Sequence, residues 1–187
     1  MPFNLFNQGE IVIGEIISKS SFGYNYHMKN NETKQNTIEI IDTLKTKNQT
    51  ITFAESCTGG RIASAFTAIS GASAVLNGSC VTYSNEIKAQ WLGVKNETLI
   101  KYGAVSKECV DEMLRGIAKL ADANYAIAVS GIAGPTGGTE EKPVGTVYLG
   151  MIYEDKTIVE HHIFKGNRDA VQEQAKDTAI ALLKKNL

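Results

Sequence analysis

A chain of 187 residues, 43% hydrophobic, has room for one substantial buried core with an appendage, not for two independent enzymatic domains. A formal net charge of −1 with dispersed basic residues argues against a nucleic-acid binder and for a small-molecule ligand. Cys57, Cys80 and Cys109 lack the pairing of a zinc site or a disulfide scaffold, and polar residues interrupt Met1 to Ile17, so the expectation is a cytoplasmic protein without signal peptide or spanning helix.

Residues 1–35 read as an N-terminal extension, with one β-like stretch at Ile11 to Ile17, an Asn- and Lys-rich segment after it, and no chemical constellation. An arm that covers an edge or another subunit is the simplest reading, and the expectation is a homo-oligomer. The main domain, 36–187, opens with a helix capped by Thr37 and faced by Ile38, Ile41 and Leu44, then a strand from Gln49 to Ala54. A corner at Ser56 leads to a helix marked by Ile62, Phe66 and Ile69; Ser70 to Ser73 ends it, and Ser79 to Tyr83 reads as a strand.

Ser84-Asn85 caps a helix holding Ile87, Lys88 and Trp91, and Ser106 caps another whose inner face is Val110, Met113, Leu114, Ile117 and Leu120. Tyr125 to Val129 is a buried strand, and Ser130 to Lys142 a glycine-rich loop with Pro135. Val144 to Tyr153 and Thr157 to Phe164 flank the polar triplet Glu154-Asp155-Lys156 as an antiparallel hairpin. Asn167 caps a last helix with Val171, Ala175, Thr178 and Leu182 inward. This alternation predicts an α/β fold, a three-layer α/β/α sandwich around a mixed, mostly parallel sheet with a C-terminal antiparallel hairpin.

Three places carry chemistry. Ala54-Glu55-Ser56-Cys57-Thr58-Gly59-Gly60 puts a hydroxyl where a strand turns into a helix, and the free amides of a helix start favour developing negative charge there; a plain helix cap is the competing reading. Tyr83 and Lys88 lie about one helical turn apart after a strand, so both can reach one pocket. A desolvated, neutral lysine can activate a serine, whereas a solvated lysine on a helix face would do nothing. Ser130 to Gly138 has the glycines to let its backbone approach a ligand, yet matches neither the P-loop nor the dinucleotide fingerprint. His161 and His162 alternate across a strand and cannot jointly hold a metal, His27 sits in the extension, and no serine-histidine-acid triad can be drawn. Cys57 as nucleophile has no histidine beside it.

Taken together, Ala54 to Gly60, Tyr83 to Lys88, Gly103-Ala104-Val105-Ser106, and Ala128 to Gly138 with Lys142 to Val147 resemble the C-terminal domain family of the competence/damage-inducible protein CinA, across roughly residues 37–187. The resemblance implies a stand-alone nicotinamide-nucleotide amidase that converts nicotinamide mononucleotide to nicotinate mononucleotide and ammonia by a serine-lysine mechanism, with no cofactor or metal and no nucleic-acid or membrane partner. Carried onto this chain, Ser56 is the nucleophile, Lys88 the base and Tyr83 a relay or orienting group. Thr58, Gly59, Gly60, Gly131, Gly134, Thr136, Gly137 and Arg168 form the substrate-binding set, with oxyanion donors near Thr58 and Gly59 and the phosphate near the glycine loop and Arg168. The chain departs from the family at Ser70-Gly71 and Leu76 to Ser79, where the pocket wall is expected to differ, and at Arg61, which reads as a solvent-facing helix residue. A catalytically silent nucleotide- or partner-binding module of the same fold is the alternative.

Overall fold

The structure, a computed structural model, describes residues 31–187. By its contacts the unit Asn36–Leu187 stands apart, and everything below belongs to it except residues 31–35, the first turn of the opening helix. The β-like stretch at Ile11 to Ile17 and His27 lie outside the described residues.

Helix α1 runs through residues 31–47, so Thr37 is not its cap but a buried residue inside it; Ile40, Ile41 and Leu44 form its inner face. Five strands follow: β1 (Ile51–Glu55), β2 (Leu76–Val81), β3 (Tyr125–Gly131), β4 (Thr146–Tyr153) and β5 (Lys156–Ile163). They form one sheet in the order β2-β1-β3-β4-β5. The pairings of β1 with β2 and β3 are parallel, those of β4 with β3 and β5 antiparallel, so only β4 runs against the other strands. The sheet is mixed and mostly parallel by strand direction, with the hairpin at its C-terminal edge. The hairpin turn is Glu154-Asp155 alone, because Lys156 already pairs with Tyr153.

The remaining helices are α2 (Arg61–Thr67), α3 (Asn85–Leu92), α4 (Asn96–Tyr102), α5 (Lys107–Ala121) and α6 (Arg168–Lys185). Strand β3 shows why both faces of the sheet are covered. Tyr125, Ile127 and Val129 pack with α1, α2 and α6, while Ala126 and Ala128 pack with α3 and α5. A strand apolar on both faces is what a central position between two helix layers requires. In α5 Val110, Met113, Leu114 and Ile117 recur at i, i+3, i+4 and i+7 and are buried, but Leu120 is exposed, because the stripe has rotated off the sheet by the last turn. In α6 the inward positions are Val171, Ala175, Ala179, Ile180, Leu182 and Leu183; Thr178 is only half-buried.

The predicted caps of three helices are present: Ser84, Ser106 and Asn167 each accept a hydrogen bond from the backbone N–H three residues on. Helix α4 is absent from the sequence reading. Lys95 stands at its N-cap without a side-chain bond, and its most apolar residue, Ile100, is among the most exposed. Strand β2 begins three residues earlier than expected and alternates half-buried with exposed positions, as an edge strand does.

Candidate active site

Strands β1 and β3 end side by side, and the loops beyond them enclose a cavity of about 280 Å³. The outer ends of parallel strands are the usual position for a ligand in an open α/β sheet. Ser56 is the first residue past β1. Its amide still donates to the Val129 carbonyl at 3.0 Å, so the ladder carries it to its place, after which Gly59 (φ 61°) and Gly60 (φ 96°) turn the chain back into α2. Both glycines are left-handed, a conformation that costs residues with a Cβ.

Glu55 holds this corner together. It is fully buried, and its carboxylate accepts hydrogen bonds from Gly60 N (3.0 Å), Ile62 N (3.2 Å) and Ala63 N (2.9 Å). These amides include orphan donors of the first turn of α2, whose N-cap Gly60 has no side chain to satisfy them. The Glu55 carbonyl in turn accepts from Thr82 N at 2.8 Å, which locks the residue after β2 beside Ser56.

Lys88 reaches the same point from α3. Its side chain is 2% exposed; Nζ lies 2.7 Å from the Thr82 carbonyl and 3.1 Å from Ser56 Oγ. Burial pushes its pKa below the ordinary 10.5, against a smaller opposing influence from the Cys109 and Cys57 thiols. A protonated Lys88 donates to Ser56. A neutral one keeps one N–H on the Thr82 carbonyl and presents its lone pair to the serine proton.

Cys57 lines the cavity beside Ser56, but burial pushes its thiol up to about 12, leaving it protonated and a poor nucleophile near neutral pH. Its carbonyl accepts a hydrogen bond of 2.6 Å from Gln172 Nε2 of α6. Because the peptide is planar and trans, this pull on the carbonyl turns the Thr58 N–H the opposite way. The Thr58 amide has no acceptor among the described residues, and the Cys57 amide faces only the sulfur of its own residue.

The other sequence-derived positions divide. Gly131, Gly134, Thr136, Gly137, Tyr83 and Arg168 all line the cavity. Thr58, Gly59 and Gly60 do not: the Gly59 amide is spent on the Ser56 carbonyl and the Gly60 amide on Glu55, so neither is available to a ligand. Tyr83 is 61% exposed, and its hydroxyl accepts a hydrogen bond from Arg168 rather than contacting Lys88. Arg168 also donates to the Gly134 carbonyl at 2.8 Å and, among the described residues, faces no carboxylate. Arg61 is tied to Asp169 and Glu173 of α6, half-buried and away from the cavity. No residue from 70 to 79 lines the cavity, so the departures noted there leave its wall untouched.

Sequence reasoning placed Glu55, Asn85, Ala104, Val105 and Ser130 in its motifs without giving any of them a role in the site, and it did not name Gln172. One of them was legible: a lone carboxylate at the end of an apolar strand, just before a helix without a capping side chain, signals an internal cap. His161 stacks on Tyr148 and His162 contacts Glu160, far from any shared ligand position. Among the described residues no helix is long and apolar enough to cross a membrane.

Residues 33–187 match the CinA C-terminal domain family. The chain belongs to that family. It is 49% identical to the nicotinamide-nucleotide amidohydrolase PncC of Escherichia coli K12 over 156 residues, 83% of this chain and 93% of that protein. A CinA-like protein of Endomicrobium trichonymphae is 44% identical across the full chain, residues 1–35 included, yet the chain spans only 45% of that protein's length. Among solved structures, the competence damage-inducible protein A of Klebsiella pneumoniae superposes with a TM-score of 0.79 at 40% identity, covering 82% of this chain and 95% of its own. A CinA superfamily protein of Escherichia coli gives 0.80 at 32% identity, covering 83% and 90%.

Proposed function

We propose that this chain is an amidohydrolase that converts nicotinamide mononucleotide to nicotinate mononucleotide and ammonia, with Ser56 as nucleophile and Lys88 as base. The observation that carries the reading is the buried 3.1 Å contact between Ser56 Oγ and a Lys88 amine whose pKa is lowered by burial. The E. coli relative's name supplies the substrate class.

In this reading neutral Lys88 takes the Ser56 proton as Oγ attacks the carboxamide carbon, and the oxyanion is stabilised by the Cys57 amide on the cavity wall rather than by Gly59. Lys88 returns the proton to the nitrogen as the C–N bond breaks, ammonia leaves, and an ester joins Ser56 to the nicotinoyl group. Water then loses a proton to Lys88, attacks the ester, and the serine hydroxyl is re-formed as the acid departs. Arg168, with its charge unmatched by any described carboxylate, and the backbone around Gly131, Gly134, Thr136 and Gly137 hold the phosphate. Tyr83 orients Arg168 in place of relaying protons. The three unpaired cysteines suit a reducing cytoplasm.

The test is ammonia release from nicotinamide mononucleotide by the wild type, Ser56→Ala and Lys88→Ala. Each variant should lose roughly a thousandfold or more of turnover. Full turnover by Ser56→Ala would refute the covalent route, and tight nucleotide binding without any turnover by the wild type would favour the silent binding module.

A further inference from the structure

The segment Gly103-Ala104-Val105-Ser106 connects α4 to α5, and Ala104 and Val105 form part of the cavity wall. Its backbone is held in an unusual way: four successive carbonyls each accept a hydrogen bond from a side chain. Tyr102 O and Val105 O both take Lys142 Nζ at 2.8 Å, Gly103 O takes Ser106 Oγ at 2.8 Å, and Ala104 O takes Ser130 Oγ at 2.8 Å. With their carbonyls so engaged, Ala104 and Val105 have amides that meet no acceptor among the described residues.

Lys142 is the unusual member. It lies at the far end of the glycine loop, outside the cavity lining, and its ammonium has no carboxylate partner among the described residues. The cation instead sits on the carbonyl of the last residue of α4, where the helix dipole is negative, and on the carbonyl that precedes the cap of α5. One side chain thereby joins the two loops that supply Ala104 and Val105 on one side and Ile132 to Gly137 on the other.

We propose that Lys142 is a positioning residue that clamps the Gly103–Val105 turn to the glycine loop, setting the spacing of the two cavity walls for the nucleotide without touching the Ser56–Lys88 pair. The proposal rests on the amidohydrolase reading for its substrate, but the clamp is readable without it. Charge-assisted hydrogen bonds to two carbonyls are among the stronger ones a surface lysine makes, so their loss frees a turn with few other long-range ties.

The test compares Lys142→Met, Lys142→Arg and Ser130→Ala with the wild type. In Lys142→Met, exchange of the hydrogen-bonded amides that flank the turn, Gly103 (to the Leu99 carbonyl) and Cys109 (to Ser106 Oγ), should accelerate by about tenfold or more. The KM for nicotinamide mononucleotide should rise about tenfold while kcat stays within about threefold, the mark of lost binding rather than lost chemistry. Lys142→Arg should recover most of both, since its fork can reach the two carbonyls; a residue that merely filled space would not be rescued by charge. Ser130→Ala, which frees the Ala104 carbonyl alone, should move exchange and KM the same way by less, and decides the matter if Lys142→Met proves unstable. Unchanged exchange at Gly103 and Cys109 overturns the clamp whatever the activity, and so does a fall in kcat with KM unmoved. A wild type that releases no ammonia refutes the function alone, since the exchange measurement needs no turnover.

Discussion

Glu55→Gln asks whether the corner that presents Ser56 depends on a buried charge. The carboxylate oxygens accept three backbone amides, Gly60 N and Ile62 N on Oε2 and Ala63 N on Oε1. A glutamine has a single acceptor oxygen. In its best orientation that oxygen serves Gly60 and Ile62, and the side-chain NH2 faces the Ala63 N–H, donor against donor. One bond is then lost with its N–H stranded, at about 1–3 kcal/mol, and two more fall from charge-assisted to neutral at about 1 kcal/mol each. Relief from burying a carboxylate offsets part of this. The net expectation is destabilisation by about 2–4 kcal/mol, or about 4–16 °C in Tm for a chain of this size. Urea unfolding and calorimetry on the wild type and Glu55→Gln measure it directly, and kcat should fall as well, because the same turn aims Ser56 and the Cys57 amide. A variant within about 0.5 kcal/mol of wild type would refute the account, since that is the range of an inconsequential surface change.

Two further outcomes follow from the site. Because burial lowers the Lys88 pKa, kcat/KM should rise with pH along a limb whose midpoint lies below 10.5, as the ammonium that cannot act as a base gives way to the amine. The linked effect on stability has the same sign: the unfolded chain binds more protons between the lowered pKa and 10.5, so Lys88's contribution is fully present above 10.5 and is lost as pH falls through the folded value. Lys88→Met should abolish turnover and flatten that part of the stability profile; a variant retaining the slope would show that another group titrates. Gly131→Ala would bring a Cβ to 2.6 Å from Val147 Cγ2, 2.8 Å from the Thr146 carbonyl and 3.0 Å from Cys57 Sγ. Overpacking of this kind costs about 1–3 kcal/mol, and pressure on Cys57 should displace its neighbour Ser56, so unfolding midpoint and kcat should both drop.

How far the site could be read beforehand differs from residue to residue. Ser56 and Lys88 stood in recognisable settings, one just past the end of a strand and the other in the first turn of a capped helix. Thr58, Gly59 and Gly60 look like donors along the chain because a helix start usually has amides to spare. The structure spends the Gly59 and Gly60 amides internally, on Ser56 and Glu55, which cannot be known without the position of a carboxylate several residues earlier. Tyr83 and Lys88 are close in sequence and share a pocket, yet Arg168, 85 residues away, captures the phenol. Helix α4 escaped notice because Leu99 packs on the core while Ile100 beside it faces solvent, and one inward aliphatic residue in seven leaves little periodic trace. Thr37 failed as a cap for the opposite reason: a helix that starts earlier turns a capping residue into an interior one.

The amino-acid order alone determined the alternation of helices and strands, three of the helix caps, the doubly apolar character of β3 and the hairpin, since these follow from periodicity and backbone chemistry acting over a few residues. Tertiary structure alone decided which amides remain free, which side chain holds each carbonyl of the Gly103–Val105 turn, and that Lys88 is buried deeply enough to be lowered in pKa. Those depend on groups brought together from distant parts of the chain. Desolvation and hydrogen-bond competition are properties of the assembled neighbourhood, with no counterpart in local sequence.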